Sequence, residues 1–289
     1  MTKQQIIDLP IFYLAKIAVK TFFPETYARY RDTRDGNIRA MRSQGIALWN
    51  NELYEVIKKI IATSGVYVRS GPFSGMMFWP VGRPGYRAGG EAGSLLGLYE
   101  LELHDVIAEI IARGYDQVID IGCAEGYYAV GLAVFMPKAR VYAFDIEASE
   151  RELCNAMALV NNVADRVTVG AECTVATLRE LTVNRCLIVS DCEGGEFELL
   201  RPDLVPGLAD CDLLVELHDC FQPGLSEAVL PRFASTHQID IIHTAKRDPN
   251  AFPELSFLTH QERQIALDER RPSSMTWAMM RSRNCSHQP

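Results

Sequence analysis

A chain of 289 residues with 48% hydrophobic, 23% charged and 9% aromatic residues has enough apolar material for one large domain or two modest ones. The composition excludes disordered, collagen-like and low-complexity classes. A formal charge of −8 is the wrong sign for a chain whose main work is neutralising nucleic-acid phosphates. The sign is uneven: residues 1–63 hold 10 basic and 6 acidic side chains, +4, which leaves −12 for the remainder.

The most apolar N-terminal stretch, Ile6 to Phe23, is interrupted by Asp8, Pro10, Lys16 and Lys20, so no transmembrane helix is expected. Ile11, Leu14, Ile17, Ala18 and Phe22 recur instead at helical spacing, an amphipathic helix suited to packing on the body or on a dimer mate. A second helical pattern covers 46–63, with Leu53, Val56, Ile57 and Ile60 on one stripe. Residues 66–79 read as a hairpin with a longer loop, and 80–94 as a Gly/Pro-rich linker or loop.

From residue 98 the texture alternates regularly. Helices are expected at 98–112, 125–135, 148–162, 174–182, 195–200 and 224–235, and strands at 117–121, 140–145, 166–170, 185–190 and 211–217. This order implies βαβ units and a parallel sheet covered on both faces. A strand at 238–244, the capping box Thr259-x-x-Glu262 ahead of a helix to Arg270, and a strand at 275–281 end the chain. Two strands without a simple helical crossover suggest an antiparallel edge pair. The expected division is 1–95, N-terminal helices, hairpin and loop acting as cap or dimerisation element, and 96–289, a catalytic domain.

Eight cysteines include no CxxC pair and no zinc-finger spacing, and most lie in apolar runs, which fits reduced thiols and a cytoplasmic location. The strongest local signal is Val118-Ile-Asp120-Ile-Gly122-Cys-Ala124-Glu-Gly126. An apolar strand runs into a glycine turn and a helix, so backbone can approach a ligand at a helix N-terminus. The spacing is G-x-A-x-G, shorter than the dinucleotide G-x-G-x-x-G. Asp145 closes the next strand 23 residues after Gly122, where an acidic side chain accepts from ribose hydroxyls, and Ile146 follows it. Glu172 follows the third strand.

The fourth strand ends in Asp191-Cys192-Glu193-Gly194-Gly195-Glu196 and the fifth in Glu216-Leu-His218-Asp219. Period two puts Glu216 and His218 on one face, and a parallel sheet brings them near Asp191. For Glu193 and Glu196, at the start of a helix, complementing the helix dipole is the simpler role.

The runs VIDIGCAEGYYAVGLA, AFD and LIVSDCEGGEFELL resemble class I S-adenosylmethionine-dependent methyltransferases of the FkbM-like group, whose fourth strand ends in Asp-x-Glu-Gly-x-Glu. The resemblance spans about residues 94–282, including GSLLGLYELEL and ERRPSSMTW. It implies a Rossmann-like, seven-stranded, mainly parallel sheet. It also implies a cofactor site of Asp120, Gly122, Ala124, Gly126, Tyr127, Asp145, Ile146, Glu172 and Asp191, with Glu172 toward the adenine. S-adenosylhomocysteine would be the product. Of Tyr127 and Tyr128, one is expected to wall that site and the other to face the core.

The expected chemistry is O-methylation of a small-molecule hydroxyl, on a sugar, polyketide or other secondary metabolite. His218, with Asp191 and Glu216, serves either as general base or as ligand to a divalent metal. N-methylation of a small amine and a non-catalytic binding module stand as alternatives. No nucleic-acid or integral membrane partner is expected; a homodimer through the N-terminal helices is. The hairpin 66–79, loop 80–94 and insertion 245–274 are expected to shape the acceptor site.

Overall fold

In this computed structural model residues 47–78, 90–182, 186–269, 271 and 275–284 are described. The expected helix over 6–23 and most of the loop 80–94 lie outside them. The chain falls into two compact units, residues 1–101 with 246–270, and 102–245 with 271–289.

In the first unit, helix α1 (Ala47–Ser64) buries Leu53, Val56, Ile57 and Ile60, the stripe its 3.6-residue period predicts. The segment read as a hairpin closes through Tyr67 opposite Met77, with Val68 N–H donating to Met76 O at 2.8 Å. The C-terminal part of the segment read as a loop is instead a short buried helix, α2 (Gly90–Leu96). Its glycines mislead because they serve close approach: a Cβ on Gly90 or Gly93 would sit 3.3 or 3.5 Å from Tyr99. The insertion contributes a helix, α9 (His260–Leu267), that packs on α1 and α2. Thr259 and Glu262 form the expected capping box at its start, worth about 1 kcal/mol.

The chain passes into the second unit through a 3₁₀ turn at Leu101–Leu103, followed by helix α3 (His104–Arg113). The helix expected from residue 98 starts later because Glu100 has a left-handed φ of 46°. There follow β1 (Gln117–Ile121), α4 (Tyr127–Phe135), β2 (Arg140–Phe144), α5 (Ala148–Val160), β3 (Val167–Gly170), α6 (Val175–Leu181) and β4 (Cys186–Ser190). Then come α7 (Glu196–Leu199), β5 (Asp212–Leu217), α8 (Leu225–Val229), β6 (His237–His243) and β7 (Thr276–Ser282). Helix α8 ends early, passing at Pro231 into a 3₁₀ turn, since proline has no N–H to continue it.

The seven strands lie in the order β3-β2-β1-β4-β5-β7-β6. The first five are parallel, and β7 runs antiparallel between β5 and β6. This is the α/β, Rossmann-like sheet with an antiparallel edge pair. One face gathers Ile119, Ile188, Leu213, Val215, Ala278 and Met280 with Leu178, Val229 and Phe233 into a core. Helix α4 lies against β1 and β2. Strands buried on both faces read as unbroken apolar runs, which is why their positions could be predicted within a residue or two.

Asp212 anchors the amino end of β5. It is buried, accepts from Tyr115 Oη at 2.6 Å and Ser282 N–H at 2.8 Å, and pairs with Arg113 at 2.7 Å. Asp212→Ala leaves three donors unmatched, and chemical denaturation is expected to show a loss of about 3 kcal/mol. No described helix is long and apolar enough to cross a membrane. The described cysteines are free thiols, mostly buried.

Candidate functional site

The site is assembled at the carboxyl edge of β1, β4 and β5, where an open α/β sheet leaves room for a ligand. β1 ends at Ile121 and the chain turns at once. Gly122 has φ 84°, and a Cβ there would lie 1.8 Å from the carbonyl oxygen of Asp191, so backbone from β1 and β4 meets where a side chain would be. Gly126, φ 93°, makes the entry into α4. Ala124 between them is left-handed at φ 46°, a conformation an alanine holds only against strain.

Asp145 holds the turn in that shape. Its Oδ2 accepts from Ala124 N–H at 2.9 Å and its Oδ1 from Glu147 N–H at 2.8 Å. The residue expected to bind ribose therefore also locks the glycine turn, and each oxygen keeps a further lone pair. Ile146 beside it is 76% exposed, an apolar surface lying open at the strand end. Glu172, past β3, is exposed.

Asp120, the last polar residue of β1, is 2% exposed. Its Oδ2 has no hydrogen-bond partner among the described residues. Burial, and then the nearby charge of Asp191, raise its pKa to about 8. Tyr127 is buried and stands edge-on to Tyr128, 5.5 Å between ring centroids. Tyr128 also approaches Trp277 of β7, at 6.3 Å. Trp277 is fully buried, pairs across the ladder with Glu216, and its indole N–H has no partner among the described residues.

The fourth and fifth strand ends converge as expected, and more tightly. His218, 1% exposed, stands among four carboxylates. Its Nε2 lies 3.3 Å from Asp191, 3.2 Å from Glu216 and 3.8 Å from Glu193, and its Nδ1 lies 3.1 Å from Glu196. Burial alone would lower the imidazole pKa, but the bonds to Asp191, Glu196 and Glu216 outweigh it and push it to about 12. Carboxylates at both ring nitrogens favour the protonated imidazole. Glu216 is pushed up to about 7 by burial and by Asp191. Arg271 Nη1 donates to its Oε1 at 2.6 Å.

Sequence reasoning assigned Glu196 to the helix dipole. The structure buries it completely, and its carboxylate accepts from Cys192 N–H at 3.0 Å and Gly194 N–H at 2.9 Å while it faces His218. Glu193, half exposed and left-handed at φ 57°, turns back toward the same ring. The metal-sized grouping is Asp191, Glu193 and His218, with Glu193 in the place expected of Glu216. Glu216 is paired through its other oxygen with Arg271, at 2.6 Å. Trp277 and Arg271 were also missed; the only signal for them was their place in the ERRPSSMTW run. Asp219 belongs to the scaffold: it caps α8 by accepting from Ser226 N–H and its hydroxyl. His237 is a satisfied core residue, with Nε2 2.9 Å from Cys211 O.

No family model matches the sequence, and no curated protein matches it. Among solved structures the chain is similar to a geranyl diphosphate C-methyltransferase from Streptomyces coelicolor A3(2), at 14% identity, covering 82% of this chain and 95% of that one, TM-score 0.42. It is similar to the O-methyltransferase TomG from Streptomyces achromogenes at 14% identity, over 67% and 87% of the two chains, TM-score 0.40. An O-methyltransferase from Bacillus cereus is similar at 12% identity, over 60% and 77%, TM-score 0.39.

Proposed function

We propose that the chain binds S-adenosylmethionine and methylates a hydroxyl oxygen of a small-molecule acceptor, leaving S-adenosylhomocysteine, as a class I enzyme of the FkbM-like kind. The observation that carries this reading is Asp120: a buried carboxylate with one oxygen unpartnered among the described residues, beside a turn that tolerates no Cβ at Gly122. An unpaired buried carboxylate is costly, and a cationic ligand group repays that cost. The α-ammonium at the methionine end of the cofactor is such a group.

Gly122, Ala124 and Gly126 would keep the turn open for that end of the molecule, with Tyr127 as a wall. Asp145 retains lone pairs for the ribose, and Ile146 offers the exposed apolar surface an adenine ring would cover, with Glu172 nearby on the next strand end. When bound, the sulfonium supplies a methyl group that is already activated, so the protein's task is alignment.

Asp191 and Glu216 take the hydroxyl proton as the acceptor oxygen is alkylated. In the cation-free protein His218 keeps both ring protons, donates to these carboxylates and holds them in place. The surplus of carboxylates favours a positively charged ligand in the cleft.

Isothermal titration of S-adenosylmethionine and S-adenosylhomocysteine into the full chain tests the reading. One-to-one binding is expected, with Asp120→Asn weakening S-adenosylmethionine at least tenfold. No heat at millimolar ligand would exclude every methyltransferase version. Transfer of a labelled methyl group to a panel of hydroxylated acceptors then tests the reaction.

A further inference from the structure

We infer that Asp191, Glu193 and His218 form a binding site for a first-row divalent cation of the Mn²⁺ class, with Glu196 as the residue that sets the ring for coordination. Three independent features meet at one point.

The first is spacing. The ligand atoms of Asp191, Glu193 and His218 lie within 4.8 Å of one another, and Nε2 is 3.3 Å from Asp191 and 3.8 Å from Glu193. A cation about 2.1 Å from each donor needs donors roughly 3 to 4.3 Å apart. Glu193 is 50% exposed, so its side chain can close the remaining gap without disturbing the core.

The second is orientation. Glu196 is buried and its carboxylate is fixed by two backbone N–H groups, so it can neither swing away nor serve as a ligand itself. It accepts from His218 Nδ1–H, which leaves Nε2 to carry a metal. A carboxylate behind a histidine in this way fixes the tautomer and makes the outer nitrogen more basic, the usual support for a metal-bound imidazole. Phe221 stacks on the ring with centroids 5.6 Å apart and limits its tilt.

The third is charge. Four carboxylates face this one imidazole, and the Arg271 guanidinium donates to Glu216. A divalent ion in place of the Nε2 proton balances Asp191 and Glu193 directly. One nitrogen with two carboxylate oxygens suits Mn²⁺ or Fe²⁺ better than a soft-metal site would. The inference builds on the proposed reaction, where a bound cation would lower the pKa of an acceptor hydroxyl.

Cation binding is measurable without cofactor or acceptor. The chelator-stripped full chain is titrated with MnCl₂, free Mn²⁺ being followed by electron paramagnetic resonance, and S-adenosylmethionine binding is measured on the same preparation. One equivalent of Mn²⁺ at micromolar affinity is expected. Glu193→Gln should weaken it at least tenfold. Glu196→Gln should weaken it by ~10- to 100-fold although it touches no ion. Glu180→Gln, at an exposed carboxylate on α6, should leave it unchanged. Non-saturating uptake, or equal affinity in wild type and Glu193→Gln, overturns the site. Glu193→Gln keeps the test informative should the buried Glu196 variant fail to fold. If Mn²⁺ fails to bind while S-adenosylmethionine binds, the cation site alone falls; if S-adenosylmethionine fails, the methyltransferase reading falls.

Discussion

Gly122→Ala is expected to abolish measurable S-adenosylmethionine binding and to cost the fold about 3 kcal/mol. The new methyl carbon would stand 1.8 Å from the carbonyl oxygen of Asp191, and the backbone at φ 84° is one an L-residue holds only under strain. Neither side can yield cheaply. The Asp191 N–H is itself bonded to Ile121 O at 2.9 Å, and the Gly122 N–H to Phe144 O at 2.8 Å, so β1, β2 and β4 would all have to move. Denaturant unfolding reads the stability and calorimetry the binding. An alanine variant with wild-type affinity would show that the turn does not take the ligand. Gly114→Ala is a useful comparison: φ there is 67°, but nothing lies within 4 Å, so strain is present without the clash.

Asp120→Asn is expected to separate stability from binding, with opposite signs. The folded-state pKa of Asp120 is raised to about 8 from 3.8 by burial and by Asp191. A carboxyl with a raised pKa contributes stability that is fully present below its unfolded pKa and is lost as pH rises through the folded value. The wild-type fold should therefore lose stability between about pH 4 and pH 9 relative to the asparagine variant, which has no proton to lose. The difference between the two should change by on the order of 5 kcal/mol over that interval, measured by denaturation in chelator. The variant is thus the more stable protein at alkaline pH and the weaker binder of S-adenosylmethionine. A parallel pH dependence in the two would show that Asp120 ionises freely and is not held for a cation.

That trade is a recognisable mark of a functional site. A buried carboxylate with an unpartnered oxygen, an alanine in left-handed conformation and a crowd of acidic side chains about one imidazole all cost stability at one edge of the sheet. The amino end of the same sheet is built differently. There Asp212, equally buried, is met by a tyrosine, an arginine and a backbone N–H, and nothing is left for a ligand.

Much of the architecture was legible because it rests on local rules. The strands of the second unit are apolar runs with glycine or helix signals at their ends, and Thr259 with Glu262 announced a helix start that the structure realises with both hydrogen bonds. Gly122 and Gly126 announced a strand-to-helix turn. Local rules failed where packing overrode them. Gly90 to Leu96 looked like loop because of its glycines, yet it is helical, its small residues admitting Tyr99. The helix expected from residue 98 was delayed by Glu100, and α8 was cut short by Pro231.

The sequence by itself determined the βαβ order, the glycine turn, the carboxylate of Asp120 beneath it, and the fact that Asp191, Glu216 and His218 end neighbouring strands. It did so because strand polarity and period-two alternation fix which residues reach one sheet edge. Only the tertiary structure decided what those residues are to each other. That Glu196 is buried behind His218, that Glu193 turns back toward the ring, that Arg271 holds Glu216 and that Asp145 locks the turn are contacts between residues brought together by the sheet and its loops. Such contacts leave no period in the sequence. They also change the chemistry, because one carboxylate beside an imidazole makes it a stronger base, whereas four keep it protonated or invite a cation in the proton's place.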